Sequence, residues 1–228
     1  LTIHLVRLTK QLMKTIIAAT PVRGRRPAPG SRERLLTAAA AEFAARGFAG
    51  GSVDRIARTA RVNKAMIYYH FKSKAGLYRE ILRDMFAAVA ARVTATGQSD
   101  ADPAEKIRDF VEAIATEAEA RPHFPPIWFR EIADGGRHLD GETTGYISGV
   151  VKTLGGIVAE GVEAKRFVPV NPLHLHAGIV GPLLLYFASG EARQRLARHG
   201  VTGANRLERG DVVAHVQRVA LLSLGRAH

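Results

Sequence analysis

The twenty residues from 52 to 71, SVDRIARTARVNKAMIYYHF, leave the chain little freedom. Wound at about 3.6 residues per turn, Val53, Ile56, Ala57 and Ala60 fall on one face, while Asp54, Arg55 and Arg58 fall elsewhere. The first part is therefore a short amphipathic helix. Ala57 lies in the middle of its apolar stripe and is small enough to let a second helix cross closely. Val62 and Ile67 are the apolar side chains that would plug the crossing. Asn63 is placed to cap the second helix by accepting a backbone N–H from its first turn. The pattern predicts two short helices joined by a tight turn, with Lys64, Ala65, Met66, Tyr68, Tyr69 and His70 facing outward. Such a face suits the major groove of a duplex, where cations and hydroxyls reach phosphates or base edges and apolar groups meet thymine methyls. Taken singly, a Tyr serves as core as readily as contact surface, and a basic run as a solvated face. The flanking sequence separates these readings.

Those flanks extend the pattern from residue 34 to 82, where LLTAAAAEFAARGF, SVDRIA and VNKAMIYYHFKSK follow one another in order. This stretch closely resembles the N-terminal domain of the tetracycline-repressor-like (TetR) family of transcriptional regulators. The resemblance implies an all-α protein: a three-helix helix-turn-helix domain followed by a helical ligand-binding and dimerisation domain. Beyond the first domain, only length, helical pattern and order are similar. Gly51 stands where the family usually has a Thr opening the first helix of the motif, which removes a hydroxyl able to cap or to touch phosphate. Arg61 stands where the turn usually carries Gly, so a side chain occupies a position expected to need positive φ, at a cost of about 1 kcal/mol.

Charge divides the chain the same way. Residues 1 to 80 hold 16 Lys and Arg against 4 Asp and Glu, whereas residues 81 to 228 hold 17 of each. A basic domain on a neutral one implies a polyanion partner for the first and another task for the second. With 46% apolar residues in 228, the chain can build one large or two modest cores. It has no cysteine, which excludes disulfides and thiolate chemistry and fits a cytoplasmic location.

At the N-terminus, the longest unbroken apolar run, residues 16 to 19, is shorter than the roughly 7 to 15 residues of an export signal. Met13, followed by Lys14, reads as a translation start. Residues 1 to 30 are expected to form a flexible basic arm. Within PVRGRRPAPG, Arg23, Arg25 and Arg26 either follow a minor groove, as in an AT-hook, or merely add charge. Residues 31 to 76 form the predicted DNA-binding domain, with Leu35, Leu36, Ala39, Phe43 and Ala44 as the stripe of a helix that Gly47 stops. Residues 77 to 228 form the second domain. Ser73 caps a long connecting helix over residues 74 to 96, and Lys74 in its first turn suits a phosphate. Asp102 and Pro103 open a helix reaching residue 120, and a short one is expected over 126 to 133. Further helices span 142 to 164, a run opened by Asn171 and Pro172 with a polar extension, and 207 to 224. The apolar stretch 177 to 188 is shorter than the roughly 20 residues that cross a bilayer and reads as a kinked, buried helix.

Catalytic and metal chemistry find little footing. His174 and His176 point about 200° apart on a helix, so one ion could not easily take both. No carboxylate or hydroxyl set has a catalytic spacing, no phosphate-cradling loop is present, and no cofactor is called for. The aromatic group Phe110, Phe124, Trp128 and Phe129, with Met85 and Phe86 on the connecting helix and Glu131 nearby, serves either as core or as the lining of a small-molecule pocket. The family resemblance favours the pocket without naming a ligand.

The resulting expectation is a homodimeric repressor, joined through its last two helices and released from a palindromic double-stranded operator by a small-molecule effector. Ser52, Lys64, Ala65, Met66, Tyr68, Tyr69, His70 and Lys74 are its expected DNA contacts. An effector-free architectural dimer and an enzyme with an accessory DNA-binding domain are the competing readings.

Overall fold

The computed structural model describes residues 30 to 225. Met13 and the arginines at 23, 25 and 26 lie outside them. The described residues form ten helices and no strand, as expected of an all-α chain.

Helix α1 (Ser31–Gly50) buries Leu35, Ala39 and Phe43 completely, one turn apart along a single stripe. The regular helix ends at Gly47, as expected. With φ 68° and ψ 176° this residue breaks the helical geometry locally, and the chain resumes a further turn to Gly50. Helix α2 (Val53–Thr59) follows Ser52, whose hydroxyl accepts the Arg55 N–H. The hydroxyl missing at position 51 is thus supplied one residue later. Gly51 itself has a steric reason, since a Cβ there would lie 2.6 Å from the Phe43 ring. Glu42 of α1 ties the start of α2 down, accepting from the Ser52 N–H at 3.0 Å and pairing with the Arg55 guanidinium at 2.6 Å. The hydrogen bond from Arg55 is the main cause holding the Glu42 carboxyl below its ordinary range.

The turn carries Arg61 at φ 54°, the left-handed conformation expected there. Helix α3 (Ala65–Phe71) then begins with Asn63 Oδ1 accepting the Ala65 N–H at 2.8 Å. Ile67 and Phe71 plug the crossing with α1 and α2.

Helix α4 (Lys74–Gly97), capped by the Ser73 hydroxyl at 2.9 Å from the Gly76 N–H, is the common spine. Its buried positions 77, 78, 81, 82, 85, 86, 89 and 93 keep a helical repeat along its whole length. The first of them complete the core of α1 to α3. The later ones pack against α5 (Pro103–Ala120) and α7 (Gly141–Glu163). Asp102 caps α5 and Asp140 caps α7, each accepting a backbone N–H at 2.9 Å.

Helix α6 (Phe124–Ala133) starts two residues before the predicted position, because Pro125 and Pro126 fall in the first turn, where no N–H is needed. Helix α8 (Pro172–Ala188) is opened by Asn171 and crosses α5 and α10 (Arg209–Leu224). Its polar extension is a separate helix, α9 (Gly190–Arg198), bent 67° away and with no buried residue. The last helix begins at Arg209 rather than 207. Among the described residues no single helix is long and apolar enough to cross a membrane. Helices α8 and α9 meet that length and composition only as a bent pair.

Candidate nucleic-acid interface and cavity

The packing of α3 fixes which side chains it offers. Because Ile67 and Phe71 point inward, Tyr68 and Tyr69 point outward, 46% and 62% exposed. Lys64 and Ala65 are exposed beside them, and His70 is half-buried, edge-on to the Tyr69 ring at 5.1 Å. Met66 does not face outward as expected. It is half-buried and packed against the core.

Three other expected contacts have partners within the fold. Lys64 pairs with Asp54 of α2 at 2.8 Å, an exposed pair that a phosphate can displace at little cost. The Ser52 hydroxyl is a cap. The Lys74 ammonium donates to the Ala49 carbonyl at 3.3 Å and stands 4.7 Å over the Phe48 ring, so it joins α1 to α4. Neither Arg58 nor Arg61 is among the DNA contacts expected from the sequence. Both are exposed and have no acidic partner among the described residues. Arg61 has no carboxylate three or four positions away, whereas the carboxylate four positions before Arg58, Asp54, is taken by Lys64.

A second constellation lies beneath the same domain. Glu131 of α6 is buried, accepting from the His138 backbone N–H at 2.7 Å and lying 2.9 Å from His138 Nδ1. The Tyr78 hydroxyl hydrogen-bonds the same carboxylate, and burial, followed by the nearby Glu131 charge, pushes its phenol far above the ordinary range. The His138 ring meets Phe48 at 4.2 Å, and Arg130 reaches the Ala45 carbonyl at 3.3 Å. The end of α6 is therefore fastened to the bend of α1. Glu131 belongs to this joint and lines no cavity, which corrects its expected role.

The aromatic group divides. Phe86 of α4 meets Phe124 and Trp128 of α6 edge-on at 5.3 and 4.8 Å, and all three border a cavity closed by α5, α7 and α8. Phe110 is fully buried core, Met85 faces a different hollow beside α1, and Phe129 is 37% exposed on the outer side of α6. None of these three borders the cavity. The cavity itself holds only about 30 Å³, room for one water, so a larger guest must move its walls. His176, set aside as a metal ligand, is one of those walls. Among the described residues no three His, Cys, Asp or Glu side chains gather as a metal site.

On the far side, α8 and α10 present apolar side chains to solvent. Leu185 is 59% and Leu222 72% exposed, and a hollow of about 860 Å³ opens between α8, α9 and α10.

A three-helix unit that projects a basic, aromatic helix, set on a helical body through a shared spine, defines a helix-turn-helix transcriptional regulator. Residues 35 to 81 match the family described as bacterial regulatory proteins, tetR family, and residues 103 to 215 match the tetracyclin repressor-like C-terminal domain; the chain belongs to this family. It is 26% identical over 205 residues to the HTH-type transcriptional repressor NicS of Pseudomonas putida, which covers 86% of this chain and 93% of that one. It is also 26% identical over 150 residues to the HTH-type transcriptional regulator RutR of Escherichia coli, covering 66% and 70%. Among solved structures, a tetR-family regulatory protein from Rhodococcus RHA1 shares the fold at a TM-score of 0.70 and 19% identity, over 88% of this chain and all of that one. The protein is a DNA-binding transcriptional regulator.

Proposed function

We propose that this regulator is a two-fold dimer that grips a palindromic operator through α3 and releases it when a small molecule occupies the cavity between α4, α6 and α8. The observation that carries this reading is the reach of α4. Leu77 and Tyr78 are part of the helix-turn-helix core, and Phe86, about two turns further on, walls the cavity. A guest that displaces Phe86 moves the helix on which the DNA-binding unit is mounted. We divide the chain near residue 76, with the arm over 1 to 30, the DNA-binding unit over 31 to 76 and the effector and dimerisation unit over 77 to 228.

In this reading Lys64, Ala65, Tyr68, Tyr69 and His70 meet the duplex, with Ser52 and Lys74 toward phosphates. The exposed apolar faces of α8 and α10 support their pairing with a second copy as a four-helix interface. Two-fold symmetry then requires operator half-sites spaced by whole helical turns, roughly 34 to 36 Å each.

The test is calorimetric titration of a co-purified ligand, identified by mass spectrometry, with and without operator. Coupling of typical size lowers affinity roughly 5- to 150-fold, and linkage demands the same factor in both directions. Equal affinities in both titrations would favour a second reading, a dimer with no effector. The small volume of the cavity is the observation on its side.

A further inference from the structure

The cavity walls come from five helices and are hydrocarbon apart from the His176 imidazole and the indole N–H of Trp128. Phe86 and Val89 come from α4, Ile114 from α5, Phe124 and Trp128 from α6, and Ile147 and Val150 from α7. Helix α8 contributes positions 176, 180 and 184, one turn apart, and the first of these is His176. It is the only titratable side chain among the residues bordering the space, so no charged group faces it from any of the five helices. Among the described residues it has no hydrogen-bond partner. A position in an apolar stripe is easily filled by Leu or Val, whereas this half-buried imidazole brings ring nitrogens that no protein group satisfies and that are not fully buried.

We propose that His176 is the polar anchor of the effector site, and that the effector is a monocarboxylic acid with an apolar body. This rests on the reading that the cavity takes an effector. The lining excludes the other classes in turn. A cation would find no counter-charge, and a plain hydrocarbon would leave the imidazole without a partner. For a second polar group on the ligand the lining side chains offer only the Trp128 indole N–H, a donor that suits the second carboxylate oxygen. A neutral alcohol can share one hydrogen bond, but an acid can share a proton, and a charge-assisted bond is about twice as strong.

The proton balance gives the site its signature. Burial holds the His176 imidazole below its ordinary value, so it is neutral at neutral pH. The free acid is an anion there. Their buried complex carries one proton, held between the imidazole nitrogen and a carboxylate oxygen, and that proton comes from solvent. Above both free-state pKa values, binding therefore takes up one proton, and affinity falls about tenfold for each pH unit.

Trp128 is the only tryptophan in the chain and walls the cavity, so its emission reports occupancy directly. The experiment titrates the full chain with octanoate and 4-phenylbutyrate, each against the alcohol of the same carbon skeleton, at pH 6.5, 7.5 and 8.5. At pH 6.5 at least one acid should bind about tenfold or more tighter than its alcohol, weakening about 100-fold by pH 8.5 while the alcohol stays constant. His176→Leu, checked for folding by its melting curve, should abolish the acid's advantage over its alcohol while keeping alcohol binding; acid that still enters does so as the neutral acid and so keeps the one-proton pH slope. His176→Gln, which keeps a hydrogen-bonding group but cannot take up a proton, should likewise lose the acid's advantage while keeping alcohol binding. Acids and alcohols binding alike, a flat pH profile, or an acid preference surviving in His176→Leu would overturn the assignment while leaving an effector cavity in place. Unchanged Trp128 emission with all four compounds would overturn the assignment and the effector reading together.

Discussion

Arg61 holds a backbone conformation that costs an L-residue free energy and glycine almost none. It is exposed and without an acidic partner among the described residues, so nothing in the fold repays that strain. Arg61→Gly should stabilise the protein by about 1 kcal/mol, read as a higher urea midpoint with unchanged slope. Asp140 is a contrasting case, a residue well matched to its place. The backbone N–H of Thr143 is the largest cause lowering its carboxyl to about 2, with the Thr143 hydroxyl and Arg83 adding to it. Its folded value lies below its unfolded one, so its contribution is complete above about pH 4 and is lost as pH falls through about 2. Asp140→Ala should cost about 1 kcal/mol at pH 7 and flatten stability against pH between those limits. Acid unfolding followed by circular dichroism measures both effects.

Among the helices, local rules were legible and long-range ones were not. The caps at Ser73, Asp102 and Asn171 and the stripe along α4 depend on neighbours a few positions away, and the sequence displays them directly. The start of α6 was misplaced because prolines read as breakers are also good first-turn residues. Nothing local foretold that α9 would turn 67° from α8. The site follows the same division. Tyr68 and Tyr69 point outward because Ile67 and Phe71 point inward, which spacing predicts. Sorting Phe86, Phe124 and Trp128 from Phe110 and Phe129 depends on which helices meet, and the inward turn of Met66 depends on how α3 packs on the core. His176 is legible as one imidazole in an otherwise apolar run spaced by four, at positions 176, 180 and 184. The α4 start yields its own prediction. If Lys74 contributes one phosphate contact, Lys74→Ala should weaken all DNA sequences alike and reduce the salt slope by about one. A changed sequence preference would show that it acts instead through its joint with Ala49 and Phe48.

For the molecule as a whole, the proposed dimer places a strict demand on the outer faces of α8 and α10. Leu222 is the most exposed of the large apolar side chains on that surface. Leu222→Glu would bring two carboxylates toward each other in a symmetric contact and should yield monomers by light scattering at micromolar concentration, with operator affinity falling accordingly. A variant that stays dimeric would place the two-fold axis elsewhere. The small volume of the cavity bears on time. A guest can enter only while the walls are parted, so the observed binding rate should level off at the opening rate as ligand concentration rises. Stopped-flow emission from Trp128 measures this, and a rate that climbs linearly would mean the walls stand open. Departure waits on the same opening, so brief pulses of ligand pass largely unanswered and a bound molecule is held after the supply has gone. The small void between Phe86 and His176 would then act as a filter, setting how long a chemical signal must last before the cell responds to it.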